Sequence, residues 1–362
     1  MEAARDIVAA TRAYDHWLRG QLPVVEADLK LKHRAMKEDP FPFLRATFYR
    51  FVPVWRAACA DLAAAPIVLA VGDLHVENFG TWRDAEARLV WGINDVDEAA
   101  PMPYTIDLVR LATSALLARG HLAIAPRSAC RAIIRGYRAG LAAPGAFVLE
   151  EEAGPLRAMA LSVDREPDLF WARLGSHPPA KPPTAVRKLL AGHLPAPVKD
   201  LRFVRRVSGF GSLGRPRHTA LAFHCGHNVA RDAKATVPSA YDWAMQQMHP
   251  GWKFSRDGGP ALLAAAVRCI DPFHGFQDGW QIRRLAPHCA RIELAMLPAL
   301  RDEKLLLFAM GRELANLHPA SRSAILAVKR DLAKRPKGWL FDAATRMAEA
   351  TRADWKEWKR RG

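Results

Sequence analysis

The sequence has little of what staples small or secreted domains. Its five cysteines (Cys59, Cys130, Cys225, Cys269, Cys289) are scattered, with no C-x-x-C pair and no metal-type spacing. That excludes a disulfide framework or a structural zinc site as the organising device. No uninterrupted apolar stretch reaches the ~20 residues a bilayer crossing needs. The start, "MEAARDIVAATRAYDHWLRG", carries acids early and lacks an apolar core followed by a small-residue cleavage site. A cytoplasmic protein in a reducing compartment is expected. Acid is also short, with 37 Asp and Glu against 53 Lys and Arg, a formal charge of +16. The excess favours polyanionic ligands, nucleic acid or acidic surfaces without choosing among them. Nucleic-acid binding stays open on charge alone, since no run of aromatics interleaved with arginine is present to read bases. At 362 residues, half of them hydrophobic, the chain can bury the core of one large domain or two lobes.

Against that basic background, two short stretches gather acid. "LAVGDLHVENFG" (69–80) and "VWGINDVDEAAPMPYTIDL" (90–108) hold Asp73, His75, Glu77, Asn78, Asn94, Asp95, Asp97, Glu98 and Asp107. The apolar runs "PIVLAVGD" and "ARLVWGIND" read as strands, so each motif sits at a strand's C-terminal end, where ligand sites commonly form. Asp73 and Asp95 with Asn78 suit a hard divalent cation, since magnesium takes one or two carboxylates and fills its other positions with water or phosphate. A carboxylate left off the metal could accept a proton from a hydroxyl nucleophile. Turn and helix-capping roles are the ordinary alternative for such residues. D-x-H at a strand end also opens metallophosphoesterase sites, which need a later G-N-H-[DE]; "CGHNVARD" offers part of it.

Apolar spacing predicts helices over 3–20, 24–38 and within "EDPFPFLRATFYRFVPVWRAACADL", where Phe41, Phe43, Phe48, Phe51 and Trp55 fall at helical spacing and read as core. Arg45, amid them, is a candidate to pair with an acid of the cluster. "TIDLVRLATSALLARG" and "RSACRAIIRGYRAGL" predict two more helices. Residues 151–198, rich in proline, read as an insertion or linker. From 199 to 288 the pattern switches to strand, glycine turn, strand, turn, strand, then a helix at "ALLAAAVRCI" and a strand at "WQIRRLA", which carries Arg283 and Arg284. Residues 302–359 return to helices. The turn "VSGFGSLGR" holds Gly209, Gly211 and Gly214, with Lys234 on the third strand. G-x-G-x-x-G alone is weak, but a dinucleotide fingerprint runs strand to helix. Here the glycines join strand to strand, as in the loop over ATP phosphates in protein kinases.

"GDLHVEN", "GINDVDEA" and "YTIDLVRLA" resemble the catalytic and metal segments of aminoglycoside and choline phosphotransferases. "HRAMKEDPFPFLRATFYRF", "VGDLHVENFG", "INDVDEAAPMPYTIDLVRLATS", "VSGFGSLG" and "GRELANLHPASR" are more closely similar to the bacterial family called domain of unknown function 2252, over about residues 30–325. The resemblance implies an α+β, protein-kinase-like two-lobed fold and an ATP- and magnesium-dependent phosphotransferase with an acceptor hydroxyl, outside the membrane. It implies Asp73 as catalytic aspartate, Asn78 and Asp95 as metal ligands with Asp97 assisting, and His75 and Asp107 as braces. Gly209, Gly211, Gly214 and Ser212 would lie over the phosphates and Lys234 would contact them. Kinase glycine loops precede the catalytic loop, and here they follow it, which implies circular permutation. The large helical lobe would come from 1–150 and 289–362, and the small lobe from 199–288. Nucleotidyl transfer, or nucleotide binding without turnover, would use the same site. Residues 235–292 contain no glutamate to hold Lys234, which leaves Asp242 as the expected substitute.

Overall fold

The computed structural model describes residues 6–118, 120–151, 156–157, 166–289, 291, 294 and 302–362. Among the described residues, five helices precede the first strand, Ile7–Gln21, Glu26–Ala35, Pro40–Ala46, Phe48–Ala58 and the short Ala60–Ala63. The third starts where a proline-bounded turn is expected: Asp39 accepts from the Phe41 N–H at 2.8 Å, and Pro40 takes the first helical position. Phe41, Phe43, Phe48, Phe51 and Trp55 are all buried, as their spacing predicts.

Strands β1 (Ile67–Ala70), β2 (Phe79–Arg83), β3 (Leu89–Ile93), β4 (Ala100–Pro103) and β5 (Phe147–Val148) follow. β1 pairs with β4, and β2, β3 and β5 form a second sheet, all antiparallel. Only β1 and β3 are legible in the sequence; β2 completes a hairpin with β3, and β4 is a proline-flanked edge without alternation. The helices Thr105–Leu117 and Pro126–Ala142 complete this part.

Strands β6 (Lys199–Val204), β7 (Arg217–His224), β8 (His227–Ala235), β9 (Gly275–Gln277) and β10 (Trp280–Leu285) form one antiparallel sheet in the order β6-β7-β8-β10-β9. The stretch expected to link carries two helices that cover this sheet. Val186 and Leu190 of Thr184–Gly192 pack on Ala220, Ala222, Ala233 and Ile282, while Phe170 and Leu174 of Pro167–Gly175 pack on Val204, Leu221 and Ala230 of the opposite face. After β8, Ser239 caps the helix Ala240–Met248. The helix predicted at 261–270 is instead Gly258–Ala265: Ala266 turns extended, and the Val267 N–H donates to Asn316 O at 2.8 Å.

The C-terminal helices are Glu303–Leu317, Arg322–Lys334 and Trp339–Arg361. Glu303–Leu317 crosses Pro126–Ala142 at glycine. A Cβ on Gly311 would sit 2.0 Å from Ile133 O, and one on Gly136 would sit 1.9 Å from Phe308 O. Absence of side chains lets the backbones touch, so residues 170 positions apart share one core. The described residues form a mixed α+β fold, and none of its helices is long and apolar enough to cross a membrane.

Candidate functional site

A cleft of about 470 Å³ opens between the five-stranded sheet and the two acidic loops. The first loop is held by one face of Thr105–Leu117. Asp107 accepts from the N–H groups of Val71 (2.7 Å) and Gly72 (2.8 Å), Arg110 donates through Nε to Asp73 Oδ1 (3.0 Å), and the Ser114 hydroxyl accepts from the Val76 N–H (3.0 Å). Positions i, i+3 and i+7 share a helix face, so one rigid element fixes successive parts of the loop. Asp107 also meets His318 Nε2 at 3.2 Å, and His318 Nδ1 meets the Tyr137 hydroxyl at 2.7 Å.

Asn78 joins the two loops. Its amide nitrogen donates to Asp73 O (3.2 Å) and Asp95 O (2.9 Å), and its oxygen accepts from the Asp95 N–H at 2.8 Å. The residue expected as a metal ligand is thus a clamp, with one lone pair left on its oxygen. Opposite, Lys234 reaches from β8 to Asp95 Oδ2 and Asp97 Oδ2, both at 2.9 Å, across 139 and 137 residues of sequence. Arg283 of β10 donates to Asp95 Oδ1 at 2.8 Å. Arg215, just past the glycine loop, donates to Asp97 (2.7 Å) and Glu98 (2.6 Å). Glu98 in turn accepts from the Ala240 N–H at 2.6 Å.

Residues 24–153 and 181–361 match a family model described as uncharacterized proteins conserved in bacteria, DUF2252. The chain belongs to that family. No curated protein and no solved structure matched it.

In this DUF2252 chain the glycine loop between β6 and β7 closes onto the catalytic candidate. A Cβ on Gly211 would lie 2.8 Å from Arg45 O and 3.2 Å from Asp73 Oδ2, so only glycine lets the loop approach this near. Gly209 and Gly214 have φ of +78° and +98°, a region glycine enters without strain. Ser212 donates its hydroxyl to Gly209 O at 3.0 Å and so shapes the loop. Arg45 pairs with Glu77, and His75 Nδ1 accepts from the Glu77 N–H at 3.2 Å.

Charge in the cleft is set by burial against these pairs. Burial raises the Asp73 pKa above the usual carboxylate range, with Arg110 pulling the other way. Asp95, half-buried, is also pushed up by desolvation, but Lys234 and Arg283 outweigh that and hold it well below the usual range. Burial pushes Glu98 up to about 7 against the pull of Arg215. Burial and the Arg45 and Arg110 charges keep His75 neutral, well below its usual value.

Two expectations fail. Asp242 does not hold Lys234; it accepts from Trp252 Nε1 (2.8 Å) and the Ser255 N–H (2.9 Å), which orders the turn after its helix. His227 of "CGHNVARD" sits at the β7–β8 turn, seven residues and roughly 23 Å along β8 from Lys234 at ~3.3 Å per residue. Sequence reading misses Arg110 and Arg215. The i, i+3 spacing from Asp107 was a signal for the first; nothing local marks the second.

Proposed function

We propose that this DUF2252 protein is an ATP- and magnesium-dependent phosphotransferase that moves a phosphate onto a hydroxyl of a small acceptor, on a permuted kinase-like scaffold. The observation that carries the reading is Lys234 Nζ at 2.9 Å from Asp95 and Asp97, on a loop that Asn78 ties to Asp73, with Gly211 of the glycine loop close to Asp73. The sheet supports it as well. Strand, glycine loop, strand, strand with lysine, two helices, then two strands, in the sheet order first-second-third-fifth-fourth, is compatible with the frame of a small lobe.

Asp95 and Asp97 are the residues that would hold magnesium; two carboxylates on one side of the cleft fit its preference for few protein ligands. When bound, the ion would neutralise phosphate charge. Lys234, almost wholly buried against Asp95 and Asp97, would exchange a carboxylate for a phosphate oxygen. Asp73 accepts the acceptor's proton through Oδ2, since Arg110 occupies Oδ1. Phosphoryl transfer is mostly positioning and charge stabilisation, and the face of Thr105–Leu117 provides the positioning. A second reading, nucleotide binding without turnover, draws support from the missing helix carboxylate beside Lys234.

Thermal melting with ATP, with and without magnesium, tests the proposal. Ligand at a hundred times its dissociation constant adds about 2.7 kcal/mol. No shift sinks the proposal, and a shift unchanged by Asp95→Ala removes the metal assignment. A normal shift with no phosphate released or transferred selects the second reading.

A further inference from the structure

The cleft-facing side of the five-stranded sheet is charged beyond Lys234. Register places Thr219, Asp232 and Arg283 side by side across β7, β8 and β10, in the row next to Lys234. Two residues along a strand put the rows about 7 Å apart. Asp232 is almost wholly buried. Its Oδ2 receives Arg206 at 3.1 Å and Arg217 at 2.5 Å, and its Oδ1 receives the Thr219 hydroxyl at 2.7 Å. One carboxylate therefore serves two guanidinium groups. Arg283, beside it, is spent on Asp95 through Nη2 alone. The Nε atoms of Arg206 and Arg283 are buried with no hydrogen-bond partner, and both residues line the cleft. Arg217 reaches the glycine loop: a Cβ on Gly209 would lie 3.0 Å from its Nη2.

A structural ion pair needs one cation per anion, and burying surplus guanidinium charge with unused donors is costly. Planar, forked donors fit phosphate oxygens two at a time. We propose that Arg206, Arg217 and Arg283 form an anion subsite that takes a phosphate group other than those met by Lys234. The group belongs either to the nucleotide itself or to a phosphorylated acceptor. Its use in catalysis rests on the phosphotransferase reading; its affinity for phosphate does not.

Calorimetric titration of the full chain with inorganic phosphate, without metal and at fixed ionic strength, tests the subsite. Arg206→Gln and Arg217→Gln are each expected to weaken binding at least fivefold. Asp232→Asn, which removes the negative charge that both guanidinium groups share, is expected to tighten it at least threefold. Lys234→Met is expected to weaken it less than either arginine variant. The opposite sign at Asp232 separates the proposal from damage to the fold, which would weaken binding in every variant. No binding by the parent, weakening by Asp232→Asn, or a larger loss in Lys234→Met than in the arginine variants overturns it. Repeating the titration with saturating magnesium ATP separates the sources. Retained binding assigns the phosphate to the acceptor, and displacement assigns it to the nucleotide. Should ATP fail to bind while these phosphate responses hold, the phosphotransferase reading falls and the subsite stands.

Discussion

Arg110 is where the structure exposes itself to the sharpest test. Its guanidinium is fully buried, lies 4.8 Å from the ring centres of both Phe48 and Phe51, and donates to Leu44 O at 2.9 Å as well as to Asp73. Replacing it with methionine keeps much of the apolar stem but strands Asp73 without its cation. Breaking a buried ion pair from one side costs about 3–5 kcal/mol. Asp73's side chain is 21% exposed, so water recovers part of that and the lower end, about 3 kcal/mol, is expected for Arg110→Met. Asp73→Asn leaves the guanidinium facing an amide oxygen that still accepts, at a cost of about 1–2 kcal/mol. The double variant has no charge left uncompensated, so the two costs fall short of adding by at least about 2 kcal/mol.

Urea unfolding of the four proteins, followed by tryptophan fluorescence, measures this coupling. Independent sites add within about 0.5 kcal/mol. Additivity to that tolerance, or a cost below about 1 kcal/mol for Arg110→Met, would refute the claim that Thr105–Leu117 sets the position of Asp73 through this pair.

Three further outcomes follow from the packing. Lys32 is buried, and burial brings its pKa down to about 8. The unfolded chain stays protonated to about 10.4, so parental stability rises with pH between those values. Lys32→Met should therefore gain roughly 1–3 kcal/mol at pH 7 and less at pH 9.5; a loss at pH 7 would show the ammonium is needed. Gly311→Ala drives a Cβ against the Ile133 carbonyl and should cost about 2 kcal/mol net of the helix preference for alanine, seen as a lower urea midpoint. Asp6 and Arg361 pair at 2.9 Å. A permuted chain running from Glu166 to Gly362, through a short glycine-serine linker to Met1 and on to 165, should melt within a few degrees of the parent. Failure to fold would show that the original connectivity is required.

The local signals in the sequence were strong where one element decides its own shape. The aromatic spacing from Phe41 to Trp55 and the glycines at 209, 211 and 214, which turn the chain between two strands, each predicted what formed, whereas the proline-bounded turn expected at 39–42 is already helix from Pro40. The strand at 89–93 was legible because it is buried on both faces. β4 was not, because its backbone pairs with β1 while its sequence, "APMP", carries no strand pattern. The helix at 261–270 was overcalled because its last turn is lost to a partner 49 residues away, the Asn316 carbonyl. For the site, the acids, Lys234 and Arg45 were visible, and two of the cations were not. Arg110 and Arg215 look like any of the other basic residues until the fold brings them within about 3 Å of a carboxylate. Asn78 could be read as a site residue, yet its use as a clamp depends on a second loop seventeen residues on.

These cations also explain why so acidic a patch is tolerated in a chain of charge +16. Asp95, Asp97 and Glu98 would repel one another if left alone in a buried cleft. Lys234, Arg283 and Arg215 come one from each of β8, β10 and the end of the glycine loop, so the sheet docks on the acidic loops through three separate charge contacts. That docking makes chain order unimportant to the site. The glycine loop and lysine need only reach the acids in space, and nothing in these contacts requires them to precede the acids in sequence. The helix Glu303–Leu317 then returns after the sheet, and Glu313 accepts from the Ile93 N–H at 3.2 Å, directly behind Asp95. An element from the far end of the chain thus supports the strand that presents the second acidic motif. Asp6 and Arg361 pair at 2.9 Å, so the first and last described helices are also tied to each other by charge.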